Sequence, residues 1–203
     1  PDDMKFEPEK LIAAAKRSLE NLDTDYVDLL LLHWPDDRVP LSETMPALCE
    51  LQKQGLTRNI GVSNFNIANI IEAKKYADVP ISVNQVEFHP FIKQNTLQTF
   101  LNNHHILLEA YSPLARGDVF DNEVIKEIAD KHGITPAQVS LAWILSDKQR
   151  IAIPKTSNPE HLQGNLDAVK VTLSADELEK IGSLARSDGR KIKHPDYSPE
   201  WDD

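Results

Sequence analysis

Five short apolar runs, each followed by a longer amphipathic stretch, constrain this chain more than any other feature. They occupy residues 26–34, 59–63, 81–88, 106–111 and 151–154. The runs are rich in Leu, Ile and Val and nearly continuous in apolar character. That is how a strand buried on both faces of a parallel sheet reads. The stretches between them carry helix signals. Pro8 opens a segment with Leu11, Ile12, Ala15, Leu19 and Leu22 on one face. Ser42 precedes Met45, Leu48, Cys49 and Leu51, and Gly55 supplies the stop. Asn66 caps a segment bearing Ile67, Ile70, Ile71 and Ala77. Two helices are predicted between the last two runs, one over 121–132 with Gly133 after it, the other opened by the capping box Thr135-Pro136-Ala137-Gln138. Asn158-Pro159 and the capping box Ser174 to Glu177 start two more. Residues 187–203 are polar, contain two prolines and read as a tail, and the acidic pairs Asp2-Asp3 and Asp202-Asp203 read as solvated ends.

Strand and helix alternating with no hairpin signal means βα units on a parallel sheet. No low-complexity tract divides the 203 residues, so a single α/β domain over 1–203 is expected. A doubly wound sheet competes with a barrel, but it usually announces itself with a glycine-rich first turn. Only seven glycines occur and none forms G-x-G-x-x-G. Barrel-type packing is therefore the expectation, with about five strands present.

The formal net charge of −10 argues against a duplex-DNA or anionic-membrane surface, both of which need a basic face. A lone cysteine, Cys49, rules out an intramolecular disulfide and any multi-cysteine metal cluster. No stretch approaches the ~18 apolar residues of a membrane span, and no signal-peptide pattern is seen. A soluble cytoplasmic protein is the expectation.

Side chains at the C-terminal ends of parallel strands are where such folds keep their sites. Those ends read His33-Trp34, Ser63-Asn64, Gln85 with Glu87 and His89, Tyr111-Ser112, and Lys155-Thr156-Ser157. Singly, each has an ordinary structural explanation: a satisfied histidine, a turn, a hydrogen-bonded amide, a helix cap. Together they suit a nucleotide. A lysine and hydroxyls beside a helix N-terminus suit a phosphate. A tyrosine can stack on a flat ring, and Ser, Asn and Gln offer what a carboxamide needs. No His-x-x-x-His, G-x-S-x-G or Walker pattern is present.

The segments Asp25-Tyr-Val-Asp-Leu-Leu-Leu-Leu-His-Trp-Pro35, Ile60-Gly-Val-Ser-Asn-Phe65, Val83-Asn-Gln-Val-Glu-Phe-His-Pro90, Tyr111-Ser-Pro-Leu114 and Ile153-Pro-Lys-Thr156 resemble the aldo-keto reductase superfamily. The ending Ser198-Pro-Glu-Trp-Asp202 is most similar to its bacterial 2,5-diketo-D-gluconate and methylglyoxal reductase branch. The resemblance implies an (α/β)8 TIM barrel, usually monomeric and metal-free, that reduces aldehydes and ketones with hydride from NADPH. It implies that His33 hydrogen-bonds the carbonyl of a small-molecule substrate and that Trp34 lines the substrate pocket. Ser63, Asn64 and Gln85 would hold the nicotinamide carboxamide, and Tyr111 would stack under the ring. Ser112 and Leu114 would lie along the pyrophosphate, Lys155, Thr156 and Ser157 would meet the 2′-phosphate, and Asn165 would touch the adenine.

Two departures qualify it. Many relatives carry an arginine where this chain has His161, and an imidazole cannot make a guanidinium's bidentate pairing, so NADH is the alternative cofactor. The family's proton donor is a tyrosine assisted by an aspartate and a lysine. None of Tyr26, Tyr76, Tyr111 or Tyr197 lies in an Asp-x-x-x-x-Tyr context, and no strand-end lysine precedes His33. The chain thus reads as the C-terminal three-quarters of such a barrel, and the sequence leaves open whether Pro1 is a genuine start. A fragment of this kind is expected to be inactive alone and to associate through unpaired strand edges. A non-catalytic NADP-binding module, a Schiff-base aldolase using Lys155 and a purely structural role are the rival readings.

Overall fold

Parallel strands need long crossovers, and the helix-like stretches supply them. The computed structural model describes residues 7–203. Strands β1 (Val27–Leu32), β2 (Thr57–Ser63), β3 (Ile81–Glu87), β4 (Leu107–Tyr111) and β5 (Arg150–Ala152) form one sheet whose spatial order is the chain order. β1 runs parallel to β2 with Val27 opposite Thr57 and Leu32 opposite Val62. β4 runs parallel to β5 with Leu108 opposite Arg150 and Ala110 opposite Ala152. The expected parallel α/β architecture with five strands and surrounding helices is thus present among the described residues.

These residues divide into two compact units, 7–84 with 194–202 and 85–193 with 203. In the first, α1 (Pro8–Leu22), α2 (Leu41–Lys53) and α3 (Ile67–Tyr76) accompany the strands. The centre is α2, which packs against α1, α3 and β2. Met45, Leu48, Ile60, Val62, Phe65 and Ile70 are completely buried. Pro46 sits inside α2 yet on its exposed side, so the Ser42 carbonyl it leaves without an intrahelical donor can turn to water. Gly61 is demanded by a close approach. A Cβ there would stand 2.5 Å from Leu31 Cδ2 and 2.7 Å from the Val83 carbonyl oxygen.

In the second unit, α4 (Asn95–Asn103), α5 (Glu123–His132), α6 (Pro136–Leu145), α7 (Pro159–Asp167) and α8 (Ala175–Gly182) surround β4 and β5. Its core joins Phe91, Val119, Ile125, Ile128, Val139, Leu173 and Ile181. The predicted capping boxes at Thr135 and Ser174 form, as do the caps at Asn66 and Asn158. Gly133 closes α5 in the left-handed region, at φ 65°. The carboxylate of Glu177 locks α8 to α5, accepting from Lys131 Nζ at 2.6 Å and pairing with His132 Nε2 at 3.0 Å. The Lys131 bond first, then the Ser174 backbone N–H, brings its pKa down to about 2.

The segment 187–203, read as a polar tail, is tied down together with the residue before it. Arg186 donates its N–H to the Phe91 carbonyl at 3.0 Å and accepts from Lys93 N–H at 3.3 Å. Gly189 passes so close to Phe91 that a Cβ would overlap that residue's backbone carbonyl. Asp202 accepts the N–H of Ile67 at the start of α3, at 3.1 Å, and Asp203 accepts the N–H of Thr96 at the start of α4, at 2.9 Å. Unsatisfied N–H groups at a helix start attract carboxylates, so Asp202 and Asp203 are caps rather than solvated ends. Asp2-Asp3 lies outside the described residues. Among the described residues no helix is long and apolar enough to cross a membrane, and no cluster of His, Cys, Asp and Glu could hold a metal ion.

Candidate functional site

The first unit carries His33, Trp34, Ser63 and Asn64. His33 directly follows β1 and its side chain is exposed. Partial burial is the main cause that holds its pKa below the usual 6.5, and the nearby His194 adds a smaller one, so the neutral imidazole is favoured. Trp34 is 6% exposed, its ring 5.6 Å from that of His194 and tilted by 51°. Ser63 and Asn64 are buried at the end of β2. Asn64 adopts φ 62°, a left-handed conformation that asparagine tolerates better than most residues. Its Nδ2 donates to the His33 carbonyl and to Ser63 Oγ, both at 3.0 Å. That pair of bonds brings three of the four predicted residues into one network.

Sequence reasoning missed what fixes the loop after β1. The buried carboxylate of Asp36 accepts Arg38 Nε at 2.8 Å and Nη2 at 2.9 Å, a bidentate pairing, and its pKa is lowered mainly by that bond. The Arg38 guanidinium lies 5.1 Å from the centre of the Tyr197 ring and also donates to its hydroxyl. Tyr197 packs in turn against His194 at 4.4 Å. The aromatic and charged residues interleaved in 194–198 were the available signal.

The second unit carries the remaining candidates. Gln85 on β3 donates Nε2 to Glu109 Oε2 on β4 at 2.5 Å. Tyr111 ends β4, half-buried. Burial first, then the charge of Glu87, raises its pKa well above the usual phenol value, so it stays a neutral ring. Ser112 at φ 49° begins a loop in which Ala115, Arg116 and Gly117 also have positive φ. Such a cluster stores backbone strain. Ser140 Oγ on α6 fixes the loop from beneath, donating to the Pro113 carbonyl at 2.8 Å, and Leu114 packs against the core.

Lys155 and Ser157 are exposed in the loop between β5 and α7. Thr156 Oγ1 accepts the Asn158 N–H at 3.1 Å, and Asn158 Oδ1 caps α7 by accepting the Glu160 N–H at 3.0 Å. Asn165 is half-buried on α7 and His161 is exposed there. A solvated cation and hydroxyl beside a capped helix start suit a phosphate, and an oriented amide beside an aromatic strand end suits a carboxamide-bearing ring. The donor set therefore fits a nicotinamide dinucleotide.

Glu87 is named among the strand-end residues, but its anchoring role is not legible there. It is completely buried at the end of β3, where it pairs with His89 Nε2 at 3.0 Å and accepts the N–H groups of Lys191 at 2.7 Å and Ile192 at 2.9 Å. Burial would raise its pKa, but these bonds outweigh it and the net shift is downward. Arg190, buried 3.9 Å from the same carboxylate, has its pKa pushed down by burial to about 10. Glu87 anchors the chain after α8.

Comparison with known proteins identifies the family. The model of the aldo/keto reductase family matches residues 2–186. Methylglyoxal reductase DkgB of Escherichia coli O157:H7 is 40% identical over 96% of this chain and 73% of its own length. The crystal structure assigned to a 2,5-diketo-D-gluconic acid reductase B superposes with a TM-score of 0.95 at 37% identity, covering 98% of this chain and 70% of that one. A point mutant of Gox0644, solved in complex with NADPH, superposes with a TM-score of 0.87 at 37% identity, over 93% of this chain and 69% of that one. Motifs, parallel fold and sequence identity across nearly the whole chain converge on one assignment: this chain belongs to the aldo/keto reductase family.

Proposed function

We propose that this chain binds NADPH and belongs to a machinery that reduces small dicarbonyl or keto-sugar compounds to alcohols. The observation that carries the reading is the amide of Gln85, fixed by Glu109 on the strand that ends in Tyr111, in a chain 40% identical to a methylglyoxal reductase. In this reading Gln85, Ser63 and Asn64 hold the carboxamide and Tyr111 supports the ring. Ser112 and Leu114 follow the pyrophosphate, Lys155, Thr156 and Ser157 take the 2′-phosphate, and Asn165 meets the adenine. When bound, the cofactor supplies hydride, and the protein supplies orientation and electrostatics. His33, kept neutral, hydrogen-bonds the substrate carbonyl oxygen, and Trp34 forms an apolar wall. His161 in place of an arginine softens the preference for NADPH over NADH.

In this reading His33 is the one member of the family's tetrad that these 203 residues supply. Loss of a general acid alone removes ~10²–10⁴-fold of rate. The isolated polypeptide is therefore expected to bind NADPH and to reduce methylglyoxal negligibly, which is also what a non-catalytic NADP-binding module would do. Fluorescence titration with NADPH beside a turnover assay tests both halves. Absence of NADPH binding overturns the cofactor reading, and measurable turnover overturns the expected inactivity.

A further inference from the structure

We propose that Glu109 is a positioning residue for the nicotinamide, orienting the Gln85 amide and biasing binding toward the oxidised cofactor. The inference rests on the reading of Gln85 and Tyr111 given above. An amide can present its oxygen or its nitrogen to a neighbour, and the two orientations are nearly isosteric. An ionised carboxylate only accepts, so Glu109 Oε2, 2.5 Å from Gln85 Nε2, forces the NH2 group toward β4 and sends Oε1 the other way. Both residues are only half-buried, on neighbouring strands. Glu109 also stands two residues before Tyr111 on β4, and residues i and i+2 of a strand line the same face. Its negative charge therefore lies one step along the strand from the ring-supporting tyrosine. The oxidised nicotinamide is cationic and the reduced one neutral, so that charge favours the oxidised form. A purely structural tie between β3 and β4 would need only a neutral acceptor and would treat both forms alike.

The test measures dissociation constants of the 203-residue chain for NADPH, by its fluorescence, and for NADP+, by competition, with thermal unfolding as the control for folding. Glu109→Gln is expected to weaken NADPH about threefold and NADP+ about tenfold, shifting their ratio about threefold. Glu109→Asp keeps the charge but withdraws it from Gln85, so it is expected to weaken both by a similar factor with the ratio preserved. An unchanged ratio in Glu109→Gln, or unchanged affinities in Glu109→Asp, overturns the proposal. If Glu109→Gln loses its unfolding transition, Glu109→Asp decides alone. Wild-type protein that binds neither nucleotide overturns the cofactor reading itself, an outcome distinct from variants that bind like wild type.

Discussion

Glu87 and Lys155 both sit just at or beyond the C-terminal end of a strand in the second unit, and they have opposite surroundings. Glu87 is completely buried and engaged by a histidine and two consecutive backbone N–H groups. Lys155 is exposed on a loop whose shape is set by its neighbours Thr156 and Asn158. The fold depends on the first, whereas the second is an exposed cation that the proposed reading assigns to a phosphate. Strand-end polarity alone does not separate these roles, and burial does.

The largest expected effect of breaking that contrast falls on stability. Glu87→Ala strands the N–H groups of Lys191 and Ile192 and the imidazole of His89 in a buried site. Removing one partner of a buried charged network costs about 3–5 kcal/mol. For a chain of this size that corresponds to a fall in unfolding temperature of roughly 6–20 °C. Calorimetry checks it, and a midpoint within a degree or two of wild type contradicts the anchoring role.

Lys155→Ala is the mirror experiment. An exposed lysine contributes little to folding, so the midpoint should stay put. NADPH affinity should fall about tenfold, or ~1.4 kcal/mol, through loss of one charge-assisted phosphate contact. The deficit should shrink at high salt, since the contact is solvent-exposed. Unchanged affinity at low salt would remove Lys155 from the phosphate site.

What the sequence showed follows the same division between near and far. Helices α3, α6, α7 and α8 announced themselves because their caps, Asn66, Thr135, Asn158 and Ser174, lie within three residues of the N–H groups they satisfy. Helix α4 did not, because Gln94 at its N-cap makes no side-chain bond there and the carboxylate that serves its first turn belongs to Asp203, 107 positions away. The candidate residues at the strand ends were legible for the analogous reason that a β-branched run marks its own end. Asp36 with Arg38 and Tyr197, and Glu87 with Lys191, were not, since each pairing closes through residues remote in the chain or depends on burial. The polar stretch 187–203 read as a tail because its partners, among them the Glu87 carboxylate, the Arg38 guanidinium and the first-turn N–H groups of α3 and α4, lie far away in the chain.

The smallest predicted effect is also the most local, and it isolates the Glu87 anchor from the rest of the molecule. The carboxylate is below its ordinary 4.5 in the folded protein because bonds from His89, Ile192 and Lys191 outweigh burial. A group depressed in this way binds protons more weakly folded than unfolded. Its stabilisation is therefore complete above that ordinary value and is lost as pH falls through the lower folded value. Asp36, Asp78, Asp167 and Glu177 are depressed as well, so global acid unfolding would report all five together. Amide exchange at Lys191 and Ile192 reports Glu87 alone. Their protection factors should be level from neutral pH down to about 4.5 and decline below it while amides of the α6 core remain protected. In Glu87→Gln, which has no proton to take up, protection should start lower and show no such decline. If wild type and Glu87→Gln lose protection in parallel as the pH drops, the anchor is not titrating and its hold on the segment after α8 must come from packing such as that of Gly189 against Phe91.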